Sequence, residues 1–376
     1  ASLHRLEYIN KVIMASNKNQ HYVPQCYLKN FSTDDSKASI CLYNLDRKKL
    51  VKTAPIKNQC SKNYFYGEDL VLEKALQPIE GRFSAMVRTI EEPNYILSEK
   101  DEAFLKQFWL LQYLRTEAAS RRNVELAEGM SKVTGATDFK LEIKDAVQQS
   151  MRSFFDVKYI VSDLKVCLVK NNTSTDFITS DDPAVLTNWW HLLDKRAELQ
   201  SFGLGSAGCL LILPLSPKVL MVAYDGDVYS LPKSKGWLRL KSKFDVDSFN
   251  YLQVLNCRAN LYGCKTDIEK YFVRLHDKVI DIKPKQRHKI NYAILDEVSD
   301  GAKRYKLVES PDVEEHEEAL VHSQPIYVAP PTWPRAIKWK NKGFVVTNGT
   351  GVGFIRLSRV LEMGTRDFYK LPSREA

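Results

Sequence analysis

Apolar residues recur along this chain with two periods, and the change from one to the other organises it. From Glu68 to Glu91 the spacing is helical, with Pro78 predicted to break or kink the run between VLEKAL and IEGRFSAMV. Ser98 followed by Asp101 has the form of a capping box with Asp in place of Glu, and it predicts a helix from about Glu99 to Met130. The middle of that helix, FLKQFWLLQYLRTEAASRRN, is apolar nearly all round and is predicted to be buried. A further helix is predicted over about Phe139 to Val157. The pattern then turns to strands in LKVCLVKN, DFITSDDPAVL and GCLLILPLSPKVLMVAYDG, and back to a helix in DSFNYLQVLNCRANLYG. Upstream, QCYLKNF after Pro24 predicts a short helix, and ASICLYNLDRKKLVKTAPI two strands of a hairpin about Asp46 to Lys49. Together these elements predict an α+β fold: a helical layer from residues 68 to 157 packed on a mixed or antiparallel sheet, with a basic C-terminal appendage.

A chain of 376 residues with 44% hydrophobic and 11% aromatic content can bury a large core. Its longest apolar runs, Cys209 to Leu213 and Val219 to Tyr224, fall far short of the roughly 20 residues of a membrane span, so no membrane partner is expected. The seven cysteines include no CxxC pair, which fits a reducing cytoplasm better than a disulfide or zinc framework. Residues 1–16 are expected to be a leader or disordered extension, with Met14 and ASNKNQ reading as a native start. Residues 17–283 form the expected core. Residues 284–376 form a basic region in which GFVVTNGTGVGFIRL predicts a hairpin. The net charge of +9 makes nucleic acid a natural partner, and the basic C-terminal region could equally receive an acidic protein.

The candidate chemistry lies in polar residues set among apolar ones. In QHYVPQCYLKNF, His21 falls just before a helix start and Gln25 within it. Gln112 and Arg115, three apart, point to one side of an apolar helix, next to Thr116; an internal hydrogen-bond network that only locks the helix accounts for the pair, and so does an anion clamp at Arg115. In FITSDDPAVL a short strand ends in Thr179, Ser180, Asp181 and Asp182, where metal ligands and general bases are often found; an Asx turn ahead of Pro183 accounts for the same residues. A third stretch, LPKSKGWLRLKSKF, carries Lys233, Lys235, Trp237, Arg239, Lys241 and Lys243 and no acid. That is the composition of a nucleic-acid-binding loop, and also of a solvated hairpin face. Phosphate-loop, nucleophile-elbow and HExxH signatures are absent.

At HYVPQCYLKNF the chain resembles a bacterial family catalogued as domain of unknown function 4238, which opens with His-aromatic-Val-Pro-Gln. LLQYLRTEAASR is similar to that family's Gln-x-x-Arg-Thr element, and FITSDDPAVL to its Thr-Ser-Asp-x-Pro element, although this chain has Asp182 where many members carry Asn. ILPLSPKVLM and NYLQVLNCRANLYG are similar to later parts, so the likeness covers about residues 17 to 280. The family carries no established activity, and the resemblance therefore groups residues without naming a reaction. One shared pocket would satisfy His21, Gln25, Gln112, Arg115, Ser180 and Asp181 together. In it His21, Arg115 and Asp181 would be catalytic, while Gln25, Gln112, Thr116 and Ser180 would bind substrate. Asp181 and Asp182 would hold any divalent ion such as magnesium. With basic flanks, this points to a nucleic-acid-processing enzyme, a nuclease-like effector of a bacterial defence or toxin system. The other readings are a nucleotide- or anion-binding sensor without catalysis, and a partner-binding subunit using the basic tail.

Overall fold

Ser98 opens the helical layer as its spacing predicts. Its hydroxyl accepts the Asp101 amide at 3.2 Å and donates to the Asp101 carboxylate at 2.8 Å. In the computed structural model, which describes residues 18–134, 141–198, 200–299, 302–308, 319–364 and 367–374, the layer consists of four helices. These are α1 (Val71–Glu91), α2 (Glu99–Arg115), α3 (Glu117–Thr134) and α4 (Ile143–Val157). Pro78 lies inside α1 without ending it, so the helix absorbs the one amide that proline lacks.

The single helix predicted from Glu99 to Met130 is instead two. Thr116 takes an extended conformation, with ψ of 157°, and its hydroxyl accepts the Ala119 amide at 3.0 Å, making it the start of α3. A helical pattern of apolar residues continues across that break, which is why periodicity alone does not reveal it.

A five-stranded sheet lies beneath α2. Its strands run in the order Trp237–Leu240, Lys165–Asn171, Val219–Tyr224, Leu210–Ser216, Val185–Thr187, with only the first pair parallel. Leu210–Ser216 and Val219–Tyr224 are buried at every position, because both faces of the sheet are covered. On one face Leu211, Leu213, Met221 and Ala223 meet Phe104, Phe108 and Trp109 of α2. The Trp109 indole also donates to the Ile212 carbonyl at 3.1 Å, and Phe108 stacks on Phe83 of α1 with ring centres 3.8 Å apart. On the other face Leu210, Ile212, Leu220 and Val222 meet Trp190, Phe249 and three residues from the C-terminal region, Ile337, Val345 and Phe354.

A second, antiparallel sheet runs Lys49–Pro55, Ser39–Asn44, Asn260–Gly263, Thr179–Ser180, so the predicted hairpin forms one edge of it. It packs on α5 (Lys243–Asn256) and α6 (Glu269–Val279) through Val254, Leu255, Phe272 and Leu275. The helix predicted over DSFNYLQVLNCRANLYG stops at Asn256, and Asn260–Gly263 becomes a central strand paired on both sides. Tertiary pairing overrides the helical spacing there.

The molecule is therefore α+β, with mostly antiparallel sheets. No helix among the described residues is long and apolar enough to cross a membrane. Residues 1–16, expected to be an extension, lie outside the described residues.

The basic C-terminal region contributes its own three-stranded sheet, Ala302–Val308, His288–Ser299 and Ala319–Pro325, and this sheet packs against α3. The region also ties back to the body. Arg356, with its side chain 2% exposed, pairs with Asp163 at 2.7 Å and donates to the Leu204 and Ile160 carbonyls, while the Trp190 indole donates to the Ser373 carbonyl at 2.7 Å. The hairpin predicted in GFVVTNGTGVGFIRL forms differently: Phe344–Thr347 pairs with Tyr369–Pro372, and one bridge, Val346 to Ile355, joins the two halves of that stretch.

Candidate functional site

The histidine of HYVPQ works chiefly through its backbone. Its carbonyl accepts Arg115 Nη2 at 2.8 Å and the Tyr66 hydroxyl at 3.1 Å, and its ring Nε2 lies 3.1 Å from the Lys57 carbonyl. Burial holds the imidazole below its ordinary pKa of 6.5, and the Arg115 charge adds to that. Arg115, 1% exposed, also donates to Tyr66 Oη at 2.9 Å and pairs with Glu80 at 2.8 Å, while its Nη1 and the Oε1 of Gln112 are buried without a hydrogen-bond partner among the described residues. Gln112, fully buried, donates to the Tyr22 carbonyl at 3.0 Å. Gln20 receives the Tyr66 amide at 2.6 Å and donates to the Gly67 carbonyl at 2.9 Å. Gln25, partly buried, begins the short helix Gln25–Leu28. These groups clamp the N-terminal segment and the 64–67 turn onto α2.

A second network holds the strand end. Asp181 accepts three backbone amides, Arg258 at 2.8 Å and Ala259 and Asn260 at 2.9 Å each. Ser180 donates to Gln253 at 3.0 Å. Asp182, fully buried, accepts Thr116 Oγ1 at 2.8 Å and pairs with Arg122 at 2.5 Å. Of the six polar side chains grouped by the sequence, His21, Gln112 and Arg115 fall in the first network and Ser180 and Asp181 in the second, while Gln25 joins neither by a hydrogen bond among the described residues; the two networks adjoin at the Arg115–Thr116 step, where consecutive residues reach in different directions. With three amides on Asp181 and a guanidinium and a hydroxyl on Asp182, these carboxylates do not fit a magnesium site. Among the described residues no group of three or more His, Cys, Asp or Glu side chains is placed to hold a metal ion.

Beside the second network lies a cleft of about 210 Å³ between the start of α3, the end of α5 and residues 283–287. Six cations line it: Arg121, Arg122, Arg258, Lys283, Lys285 and Arg287. Lys283 donates to the Val254 and Cys257 carbonyls at 2.7 and 2.5 Å, and Arg287 to the Leu255 and Asn256 carbonyls at 2.8 and 3.2 Å. These are the carbonyls that the end of α5 leaves over, and the negative end of the helix dipole favours cations there. Burial lowers the pKa of both side chains, and the neighbouring Arg122 adds to the effect at Arg287. Glu117 pairs with Arg121 at 2.7 Å and Lys62 at 2.8 Å, with Arg258 at 3.8 Å; burial would raise its pKa, yet Lys62 and Arg121 hold it below the ordinary value.

A narrower cavity of about 130 Å³ shares Arg122, Asn256 and Arg287 with the cleft and adds Tyr113, His288 and Tyr327. His288 Nδ1 is buried there without a hydrogen-bond partner among the described residues. Burial lowers the pKa of this imidazole, and Arg122 and Arg287 press it further down against the pull of Glu125. None of Arg121, Arg122, Arg258, Lys283, Lys285, Arg287 and His288 stands out in the sequence as a site residue. The signal available was the RR pair at 121–122, which closes a helical stretch expected to be buried, and the KPKQRHK run; α3 and the end of α5 bring them together.

The basic stretch from Leu231 to Phe244 divides. Trp237 and Arg239 lie in the edge strand of the five-stranded sheet, and with Lys235 they wall a groove of about 990 Å³ facing residues 90–96. The Trp237 indole donates to the Tyr95 carbonyl at 2.9 Å, Lys233 donates to the Val166 carbonyl at 2.6 Å, and Lys243 pairs with Asp247 at 3.2 Å. Lys241 is exposed.

No curated protein and no solved structure matches this chain. The family described as protein of unknown function DUF4238 does match, over residues 19–267, a span that holds both polar networks and the α3 and α5 walls of the cleft. The third wall of the cleft, like His288 and Tyr327 of the adjoining cavity, comes from residues beyond the matched span, and the chain accordingly belongs to the DUF4238 family.

Proposed function

We propose that the chain binds a phosphate-bearing polyanion, nucleic acid in the first place, in the cleft between α3, the end of α5 and residues 283–287. The charge balance carries this reading. Six cations and one carboxylate, Glu125, line the cleft; behind it Asp182 pairs with Arg122, and Glu117 with Arg121 and also with Lys62, which leaves at least three positive charges to be matched by a ligand. Guanidinium forks suit phosphate oxygens, and four of the six cations are arginines. A binding role is favoured over phosphodiester cleavage by His21, Arg115 and Asp181, because Asp181 accepts three backbone amides in a network separate from the one that holds His21 and Arg115.

Fluorescence polarisation of a labelled single-stranded oligonucleotide at several salt concentrations tests this. Three phosphate contacts predict a log–log salt slope of roughly −2, and Lys285→Glu weakens binding and makes the slope shallower. An oligonucleotide that fails to bind at low salt, or binds Lys285→Glu as tightly as the native chain, refutes the reading. Labelled RNA and DNA incubated with the protein, with and without magnesium, report on processing in the same experiment. Product formed by the native chain and lost in His21→Ala would favour the nuclease-like effector over binding alone.

A further inference from the structure

Four of the chain's six tryptophans gather in one place: Trp189, Trp190, Trp333 and Trp339. Trp189 stacks on Trp333 with ring centres 5.2 Å apart at 12°, and lies 4.9 Å from Trp339. Trp190 is fixed at both ends, its amide donating to Tyr229 Oη and its indole to the Ser373 carbonyl, each at 2.7 Å. A core would close over such rings. Here Trp189 and Trp339 stay partly exposed and, with Trp190, line a groove of about 470 Å³, within the ~300–1,000 Å³ usual for ligand pockets.

Charge and chemistry narrow the ligand. Guanidinium groups lie over two of these indoles, Arg374 at 5.4 Å from Trp339 and Arg196 at 5.7 Å from the buried Trp190; the partly exposed Trp189 and Trp339 are the rings that a ligand's planar group can reach. Lys195 is exposed on the rim. The carboxylate lining the groove, Asp194, is held by both ends of the Arg196 fork at 2.8 and 2.6 Å, and among the described residues no Asn or Gln lines the groove. A sugar would need such free carboxylates and amides for its hydroxyls. A flat ring attached to a negative charge needs aromatic faces and cations, and those are what the groove offers. The Trp189 Nε1–H, buried without a hydrogen-bond partner among the described residues, is a donor still to be satisfied.

We propose that this groove is a stacking site for an unpaired base of a single-stranded nucleic acid, with Lys195 and Arg374 on the adjoining phosphates. It rests on residues other than those of the basic cleft and is tested apart from it. Tryptophan fluorescence of the full chain is titrated with a short oligothymidylate at low salt, with melting temperature measured for each variant. Saturable quenching is expected, with affinity about tenfold weaker in Trp339→Ala and closer to native in Trp339→Phe. Arg374→Glu, on an exposed side chain, weakens binding without altering melting, so the test survives if Trp339→Ala fails to fold. If Lys285→Glu weakens binding while Trp339→Ala and Arg374→Glu do not, the cleft stands and the stacking site is overturned. Quenching by a linear oligosaccharide in place of the oligonucleotide overturns it as well, and binding by neither site removes both proposals.

Discussion

Replacing Asp181 with alanine separates a structural carboxylate from a chemical one. The side chain is buried and accepts amides from three successive residues, Arg258, Ala259 and Asn260, at 2.8–2.9 Å. Each buried donor left unpaired costs about 1–3 kcal/mol. The Ala259 amide bears the full cost, whereas the Arg258 and Asn260 groups are part-buried and recover some of it from water. Against this, the substitution removes a group whose burial raises its pKa, so part of the penalty of enclosing a charge is returned. The balance is a loss of about 3 kcal/mol, or roughly 5 °C in melting temperature for a chain of this size. Urea titration followed by far-UV circular dichroism and by tryptophan fluorescence measures it. Because Arg258 lies in the turn that Asp181 holds, oligonucleotide affinity should fall along with stability. A variant within about 0.5 kcal/mol of the native chain, as surface substitutions usually are, would refute the assignment.

Arg122→Gln leaves Asp182 fully buried without its cation and should cost about 3–5 kcal/mol, while Arg122→Gln with Asp182→Asn should recover much of that; a double-variant loss equal to the sum of the two single losses would show that the pair is not coupled. Arg115→Lys should destabilise by about 2 kcal/mol by urea titration, since one ammonium cannot reach Tyr66, Glu80 and the His21 carbonyl together. Burial lowers the His191 pKa from 6.5 to about 4, so the unfolded chain takes up a proton near pH 6.5 that the folded chain refuses until about pH 4. Stability therefore falls through that window as the pH drops, by roughly 3 kcal/mol in all, and His191→Phe should flatten that part of the pH profile; an unchanged profile would show that the histidine does not set it.

Where a signal was local, the sequence carried it. Ser98 and Asp101 announced the start of α2, and the alternation in ASICLYNLDRKKLVKTAPI announced its hairpin. The break at Thr116 was hidden because the apolar spacing runs across it, although Thr116 caps the Ala119 amide and donates to Asp182, 66 residues away along the chain. The same holds for Asn260–Gly263, whose strand partners at residues 41–44 and 179–180 decide its conformation against the helical spacing. In the candidate site, polar residues embedded among apolar ones were recognisable one by one, and most of them proved to be fastened. Arg115 and Asp181 hold distant segments together, which is one way a buried polar group is satisfied; lining a cavity is the other. The cations of the cleft were invisible for the opposite reason. Exposed lysines and arginines are ordinary on any surface, and only the folded path of residues 283–288 sets them beside the end of α5.

The family match ends at residue 267, yet Lys283, Arg287, His288, Tyr327, Trp333, Trp339 and Arg374 all follow it. Relatives that share the N-terminal scaffold and diverge after it would keep the clamp of Arg115 and the strand-end carboxylates while changing what they can recognise. On the proposed sites, swapping residues 284–376 between two such members should carry ligand preference with it, because Lys285, Arg287, Trp339 and Arg374 travel with that segment.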